Sequence, residues 1–255
     1  MKIITYNVNG IRAAVKKDLT AWLAAQNADI LCFQELKAVT SQIPLELFAA
    51  MGYTHYGIHS AQKAGYSGVA IFSKTAPKHT EIGCGIDKYD QEGRVIRADF
   101  DKLSVMSVYM PSGTSGEERQ QFKYEWLDDF YTYIQELRKE HPRLVIVGDY
   151  NIAHQEMDIH NPKSNKNSSG FLPAEREWLT KFYANGFVDS FRHLHPHAQE
   201  YTWWSSRSNA REKNLGWRID YMAVTSPLVE VLSKVTIHAN AVHSDHCPMS
   251  LEITD

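Results

Sequence analysis

Cysteine is scarce in this sequence, and its three residues, Cys32, Cys84 and Cys247, are odd in number and irregularly spaced. They therefore define neither a disulfide framework nor a zinc-binding pattern, and a reducing compartment is the simple interpretation. Long hydrophobic runs are also missing. No stretch approaches the ~20 apolar residues of a membrane-spanning helix, and the opening MKIITYNVNG lacks the apolar region of a signal peptide. We expect a soluble, cytoplasmic protein of the bacterial type, without a targeting segment.

Excess positive charge is missing as well. The 255 residues carry a formal net charge of −3, and the isoelectric point is near 6.5. Because nucleic-acid-binding proteins hold phosphates with Lys and Arg, any DNA-binding surface on this chain has to be local. With 43% hydrophobic and 22% charged residues, the composition is that of a globular chain that can bury a core.

Short β-rich runs recur along the whole chain and alternate with a few helical patterns. No internal repeat, low-complexity tract or charged linker separates them, which indicates a single domain over residues 1–255. Sheets in the middle with helices outside is the economical arrangement. The runs that predict strands are 2–8, 28–34, 68–73, 95–100, 103–110, 144–147, 219–224 and 249–254.

Two amphipathic helices are the clearest of the helical patterns. The first is predicted to begin with Ser115 and Glu118 as a capping box and to end before Pro142. The second is predicted to begin at Pro173, a favoured first-turn residue, and to stop before Gly186.

Polar residues stand at the ends of several predicted strands, where a packing argument would not choose them. Ligand sites of sheet-based folds collect at such strand ends. Each of these residues alone is better explained as a turn former or a structural histidine. Together, the carboxylates could hold a hard cation such as magnesium, and the amides and the histidine could position a phosphodiester. The residues are Asn7, Asn9, Gln34, Glu35, Tyr109, Asp149, Asn151, Asp220, Ser244, Asp245 and His246.

Six motifs, TYNVNG, QELK, VYMP, GDYN, GWRIDY and SDHCP, occur in the order found in the exonuclease III group of AP endonucleases, within the deoxyribonuclease I-like superfamily. GDYN and SDH alone would specify only the superfamily, which also contains inositol phosphatases and sphingomyelinases. Residues 158–220 are more discriminating and resemble the DNA-repair branch, particularly its eukaryotic type. The resemblance covers essentially the whole chain. It implies an α/β fold, a four-layered sandwich of two mixed β-sheets flanked by helices.

The resemblance also implies roles for individual residues. The metal is expected on Glu35, with Asn9 near it, and Asp245 lies by the metal in some relatives. Asp149 stands where the family places the carboxylate that orients or deprotonates the attacking water. Whether Asp149 or His246 is the general base stays open, as does the choice between one metal ion and two. The other expected catalytic residues are Asn7, Tyr109 and Asn151, and Asp220 paired with His246.

A local basic surface is expected along two of the resembling segments. The Lys and Arg residues between 203 and 218, together with loop 161–170, suit contacts to the DNA backbone. A short basic run is more often a solvated loop, which is the alternative. The acidic stretch 117–129 is expected on the far side of the molecule. The expected DNA-binding residues are Asn165, Lys166, Arg207, Lys213 and Arg218.

Trp203, Trp217 and Ile219 resemble the apolar pocket in which relatives receive the extruded abasic sugar. The alternative is that the tryptophans belong to the core. An abasic nucleotide has no base to unpair, so flipping it costs less than flipping an intact one. The sequence departs from the family pattern at Ser112 and Ser168, where relatives usually carry amide side chains, so we expect weaker phosphate contacts there.

The expected function is that of a magnesium-dependent DNA-repair phosphodiesterase, with Mn²⁺ as the alternative metal, that hydrolyses the backbone 5' to abasic sites. We expect 3'-phosphodiesterase and some 3' to 5' exonuclease activity as well, in a proportion that the sequence does not set. The expected partner of this monomer is double-stranded DNA with abasic sites or blocked 3' ends. Two alternatives stay open: a related phosphoesterase acting on small or lipid phosphate esters, and a non-catalytic interaction domain.

Overall fold

The computed structural model describes residues 1–254. Strands alternate with helices over this whole range. The strands are β1 (Lys2–Asn7), β2 (Ile30–Gln34), β3 (His55–His59), β4 (Val69–Ser73), β5 (His79–Ile82), β6 (Val95–Asp99), β7 (Ser104–Tyr109), β8 (Leu144–Asp149), β9 (Phe187–Asp189), β10 (Trp203–Trp204), β11 (Gly216–Trp217), β12 (Asp220–Thr225), β13 (Leu232–Ile237) and β14 (Met249–Ile253). The helices are α1 (Ile11–Val15), α2 (Leu19–Gln26), α3 (Leu45–Ala50), α4 (Asp87–Asp90), α5 (Glu117–Glu140), α6 (Pro162–Asn165), α7 (Pro173–Ala184) and α8 (Ser190–Leu194).

Two six-stranded sheets carry the fold. Their strand orders are β13-β14-β1-β2-β4-β3 and β5-β6-β7-β8-β12-β9. Within each sheet one central pair is parallel, β1 with β2 and β7 with β8, while the other pairs are antiparallel. Both sheets are therefore mixed, as predicted.

The side chains of each central strand point alternately into two different cores. In β1, Ile3 packs between the sheets, whereas Ile4 packs beneath α1, α2 and α3. In β8, Val145 packs between the sheets, whereas Ile146 packs beneath α5 and α7. Because both faces of each sheet are covered, the central strands are buried along nearly their whole length rather than at alternate residues. The predicted four-layered sandwich is confirmed.

A buried polar contact joins the two sheets near the ends of β2 and β7. The Gln34 side chain donates to the hydroxyl of Ser107 at 2.9 Å and to that of Thr5 at 3.1 Å. Ser107 in turn donates to the carbonyl of Phe33 at 3.3 Å. Buried polar groups are tolerated when they are hydrogen-bonded, and here the bonds cross from one sheet to the other. The contact fixes how the two sheets meet at the edge where the polar residues gather.

The predicted strands are confirmed, since each of the runs overlaps one strand of the structure, but several strands were missed. The missed strands β3 and β5 lie at sheet edges and are partly exposed, so their sequences, HYGIH and HTEI, lack apolar alternation. The helix predicted from Pro173 is confirmed. The capping box at Ser115 is wrong, because α5 begins one residue later with Gly116, at φ +121°, as its N-cap. Over residues 1–254, no helix combines the length and apolar character needed to cross a membrane.

Gly148 permits the close approach of β8 to β7. Its φ is +141°, and a Cβ there would lie 1.9 Å from the carbonyl oxygen of Val108. We predict that Gly148→Ala lowers the free energy of unfolding by about 3 kcal/mol or more, because backbone strain adds to a backbone clash. Gly85→Ala is the matched control. Gly85 also has a positive φ but an open surrounding, so its substitution should cost about 1 kcal/mol. Urea denaturation measures both, and equal losses would contradict this account.

Candidate active site

The polar strand ends of the two sheets converge on one cleft of about 750 Å³. In the second sheet, Asp149 is paired with Tyr109 on β7 and with Asp220 on β12, so three site residues share one row. From the first sheet, Glu35 follows β2 and also lines the cleft. The cleft therefore lies where strand ends of both sheets meet, which a rigid scaffold holds in place.

The Asp149 carboxylate is buried and held by neighbouring amides. One oxygen accepts from the backbone N–H of Asn151 at 2.8 Å, and the other accepts from the side-chain amide of Asn7 at 2.9 Å. Burial raises the pKa of Asp149 to about 7, although the charge of His246 opposes this rise. A carboxylate with such a pKa can accept a proton near neutral pH.

His246 lies between two carboxylates. Its Nδ1 is 2.9 Å from Asp220, and its Nε2 is 3.7 Å from Asp149. Burial alone would lower the pKa of His246, but Asp220 and Asp149 outweigh it and raise the pKa to about 10. Thr202 fixes the backbone at Asp220, because its hydroxyl accepts from the N–H groups of Ile219 and Asp220, each at 3.1 Å. The imidazole is therefore positively charged at neutral pH and fixed in orientation.

Glu35, Asp149 and His246 form a cluster in which one ligand atom from each lies within 4.8 Å of the others, and because His246 is protonated, only the carboxylates of this cluster could hold a metal ion. Asn7 joins the two carboxylates, because its amide donates to both, at 2.9 Å each. Two carboxylates with amides around them are the oxygen-rich environment that hard divalent cations prefer. The donor set therefore fits such a cation.

Lys37 lies beside Glu35 and was not predicted as a site residue, although it belongs to the QELK motif. Its ammonium is 3.0 Å from the Glu35 carboxylate and also contacts Asn9. Burial would raise the pKa of Glu35, but Lys37, with smaller contributions from Asn7 and His246, holds it below the ordinary value. Glu35 is thus ionised at neutral pH.

Asn9 and Asp245 lie together at the rim rather than within the three-residue cluster. The Asn9 amide donates to one oxygen of Asp245 at 2.9 Å, and the indole N–H of Trp203 donates to the other at 3.0 Å. Burial would raise the pKa of Asp245, but His246 and these two donors lower it. Asp245 therefore links the charged cluster to the apolar wall of the cleft.

Tyr109 lines the cleft next to Glu35. Burial, together with the Glu35 carboxylate, raises the pKa of its phenol well above the ordinary value. The hydroxyl is therefore protonated and can donate a hydrogen bond. Arg94 supports this residue from behind, with its guanidinium 4.8 Å from the ring centroid and donating to the Tyr109 carbonyl at 2.9 Å.

Four non-glycine residues of the site, Asn9 and Lys37 among them, have positive φ. The φ values of Glu35 and Asn151 are +50° and +52°, which residues other than glycine seldom adopt. Such conformations persist where surrounding contacts determine them, and they gather at functional sites. Here they turn the chain sharply after β2 and β8.

The apolar side of the cleft is formed by Trp203, Trp217 and Ile219. The tryptophans meet edge to face at 6.1 Å, and both pack on a small cluster that contains Ile219 and Phe171. Both indoles are partly exposed, so they are neither wholly core nor wholly surface. The structure brings these three residues to the same cleft as the charged cluster.

The expected DNA contact of Arg218 is wrong. Its side chain is completely buried and ion-paired with Asp158 at 2.8 Å and with Asp189 at 2.8 Å. A guanidinium paired with two carboxylates inside the protein cannot reach a phosphate. Arg207, Lys213 and Lys166 are exposed, whereas the amide of Asn165 donates within its own loop, to Asn161 at 3.0 Å.

The expectation that stretch 117–129 faces away from the site is also wrong. Arg119, in the first turn of α5, lines the cleft and contacts Glu92 and Tyr66. Arg94 and Tyr66 line it as well. Arg119 was not predicted because the stretch was treated as acidic throughout, whereas a single turn of a long helix can face the site. Tyr66 and Arg94 lie outside the six motifs and carried no signal of their own.

Comparison with known proteins places this chain in a family. Residues 4–246 match the model of the Endonuclease/Exonuclease/phosphatase family, and the chain belongs to this family. It is 44% identical to an exodeoxyribonuclease of Bacillus subtilis, over 99% of both chains. It is 43% identical to the DNA repair nuclease APEX1 of Danio rerio, over 98% of this chain and 81% of that protein.

The structural comparison agrees. An AP endonuclease from Archaeoglobus fulgidus superposes with a TM-score of 0.92 at 33% identity, over 100% of both chains. Within the family, the chain therefore falls in the group of exodeoxyribonucleases and AP endonucleases, and it is a nuclease-type hydrolase. The resemblance stated from the six motifs is confirmed.

The charge on His246 depends on Asp220. We predict that Asp220→Asn lowers the pKa of His246 by at least about two pH units, because burial then opposes the charged imidazole more effectively. Two-bond ¹H–¹⁵N NMR of the metal-free protein measures the titration. Asp99→Asn, which removes a carboxylate 3.5 Å from His141, is the control and should leave His246 unchanged. An unaltered His246 midpoint in Asp220→Asn would refute the pairing.

Proposed function

We propose that this chain hydrolyses the phosphodiester on the 5' side of abasic sites in double-stranded DNA, with Mg²⁺ as its metal and Mn²⁺ as a substitute. The observation that carries the proposal is a single cleft with a charged cluster, Glu35, Asp149 and His246, facing an apolar wall at Trp203 and Trp217. The names of the relatives support DNA as the substrate.

The proposal extends to related substrates and to the form of the protein. It includes 3'-phosphodiesterase activity on blocked 3' ends and 3' to 5' exonuclease activity, which the exodeoxyribonuclease relative supports. It further includes a single catalytic domain over residues 1–255 that acts as a monomer in the cytoplasm.

The Glu35 carboxylate would hold the metal, with Asn9 and Asp245 beside it, while the Asp149 carboxylate in the same cluster remains free to accept a proton. A bound magnesium ion would neutralise charge on the phosphate and favour attack by water. Asn7 fixes the position of the Glu35 and Asp149 carboxylates relative to each other, because its side-chain amide donates a hydrogen bond to both. Lys37 supplies positive charge next to Glu35.

We assign the general base to Asp149. Its pKa of about 7 suits acceptance of a proton from water, whereas His246, with a pKa of about 10, already carries its proton. The charged His246 and the neutral phenol of Tyr109 are then donors to phosphate oxygens, which stabilises negative charge as it develops. Asn151 orients Asp149 through its backbone N–H.

Selectivity for abasic sites follows from the apolar wall. A deoxyribose without a base can enter a pocket formed by Trp203, Trp217 and Ile219, while a nucleotide with its base needs more room and a greater unstacking cost. Small or lipid phosphate esters are the competing substrates. The names of the relatives favour DNA over these esters. A non-catalytic role is disfavoured, because Glu35, Asp149 and His246 are all present and adjacent.

The test is incision of a 5'-labelled duplex that contains one central tetrahydrofuran, an abasic analogue without an aldehyde. We expect cleavage on its 5' side, leaving a 3'-hydroxyl that a polymerase extends, and we expect EDTA to abolish cleavage and Mg²⁺ to restore it. A lyase needs the aldehyde to form a Schiff base and would leave the analogue intact. An uncut analogue, or cleavage unaffected by EDTA, would refute the proposal.

Trp217 should supply selectivity rather than chemistry. We predict that Trp217→Ala lowers the preference for an abasic over an intact nucleotide by about tenfold or more, because apolar fit discriminates by roughly 1–3 kcal/mol. The measurement compares kcat/KM for incision at tetrahydrofuran and at a normal nucleotide. Trp22→Ala removes an indole packed against His238, away from the cleft, and is the control. If Trp217→Ala left the preference for abasic nucleotides unchanged, Trp217 would have only a packing role.

A further inference from the structure

A buried ion pair lies directly behind the cleft and takes no part in the chemistry described above. Lys123 on α5 and Glu175 on α7 are both 0% exposed, and their charged groups are 2.5 Å apart. Taking two charges out of water costs free energy that their attraction seldom returns in full. Stability alone is therefore a weak reason for the pair, and its other contacts suggest what it does.

Lys123 is hydrogen-bonded to the backbone of a site residue. Its ammonium donates to the carbonyl oxygen of Asn151 at 2.8 Å. The N–H of the same residue holds the Asp149 carboxylate at 2.8 Å, and Asn151 has a φ of +52°. Lys123 thus fixes a strained residue whose N–H orients the proposed base.

Glu175 is hydrogen-bonded to the segment behind the apolar wall. One carboxylate oxygen accepts from the backbone N–H groups of Gly170 at 2.7 Å and Leu172 at 3.0 Å. A Cβ placed on Gly170 would lie 3.1 Å from the Trp217 ring and 3.2 Å from the Asn151 carbonyl oxygen. Gly170 is therefore wedged between the wall and the residue that Lys123 holds.

We propose that Lys123 and Glu175 are positioning residues that set the separation between the catalytic carboxylate and the abasic-sugar wall. One end of the pair fixes the backbone at Asn151, the other fixes Gly170 behind Trp217, and the ion pair joins the two ends. A substrate bound against the wall then has its phosphate at a defined distance from Asp149. Displacements of about 1 Å can reduce rates by about a hundredfold, so such a pair affects turnover without touching the substrate.

The electrostatics agree with this geometry. Burial lowers the pKa of Lys123, and the charges of Glu175 and Asp149 oppose that effect. The ammonium is therefore electrostatically coupled to the site as well as hydrogen-bonded to it.

Three variants test the proposal, which rests on the proposed function for its substrate. Lys123→Met removes the donor, Glu175→Gln removes the charge at constant shape, and Lys123→Arg retains a charged donor. The exposed pair Lys139 and Glu136 on the same helix, 2.6 Å apart, provides the controls Lys139→Met and Glu136→Gln. Single-turnover incision of the tetrahydrofuran duplex is measured per folded molecule, with the folded fraction taken from urea denaturation.

We expect Lys123→Met and Glu175→Gln to lower the single-turnover rate per folded molecule at least about tenfold, Lys123→Arg to recover most of it, and both controls to match the wild type. A merely structural pair would reduce only the folded fraction. Rates within about threefold of wild type would therefore overturn the proposal. If Lys123→Met does not fold, the single-turnover rates of Glu175→Gln and Lys123→Arg are compared with wild type by the same criterion.

Assays of the wild-type protein on two DNA substrates distinguish a failure of this inference from a failure of the proposed function. If the wild-type protein leaves the tetrahydrofuran duplex uncut but degrades undamaged DNA from 3' ends, the abasic-site part of the proposed function fails and the exonuclease part stands. The variants are then compared by their exonuclease rate, and the same tenfold criterion decides the positioning role.

Discussion

A carboxylate that is only 1% exposed, as Asp149 is, would cost several kcal/mol to bury if it lacked partners. Here it accepts from Asn151 and Asn7 and lies 3.7 Å from the charged imidazole of His246. These partners come from both sheets, so the carboxylate is satisfied only when the sandwich is assembled. Burial still raises the pKa of Asp149 above the ordinary value of an aspartate. This raised pKa allows Asp149 to take a proton from water.

The same arrangement explains why the site lies at this edge of the sheets. Asp149 is in register with Asp220, and Asp220 holds His246, so the second sheet supplies the proton-transfer groups. Glu35 follows a strand of the first sheet and supplies the negative charge that attracts a cation. The face-to-face packing of the two sheets brings these groups together at the cleft.

Much of this was predictable from the sequence, because apolar runs define strands and polar residues at their ends define a site. The strands that carry Glu35 and Asp149 were predicted by this reasoning. From the residues alone, ion pairs and the burial of individual side chains were not predictable, since they depend on tertiary contacts. The pair of Asp220 with His246 was expected only from the family resemblance. Arg218 shows this most clearly, because a basic residue in a basic stretch turned out to be buried against Asp158 and Asp189. Edge strands such as β3 and β5 were missed, because nearly all of their residues are at least partly exposed, so neither face carries the apolar pattern of a half-buried strand.

The central claim is that Asp149 serves chemistry rather than substrate binding. The most direct measurement compares Asp149→Asn with wild type by single-turnover incision and by fluorescence anisotropy binding of the same abasic duplex in Mg²⁺. The asparagine keeps the shape of the side chain but loses its negative charge and basicity. We expect the incision rate to fall by about a thousandfold or more while Kd changes by less than about fivefold. Weakened binding at a normal incision rate would contradict the account.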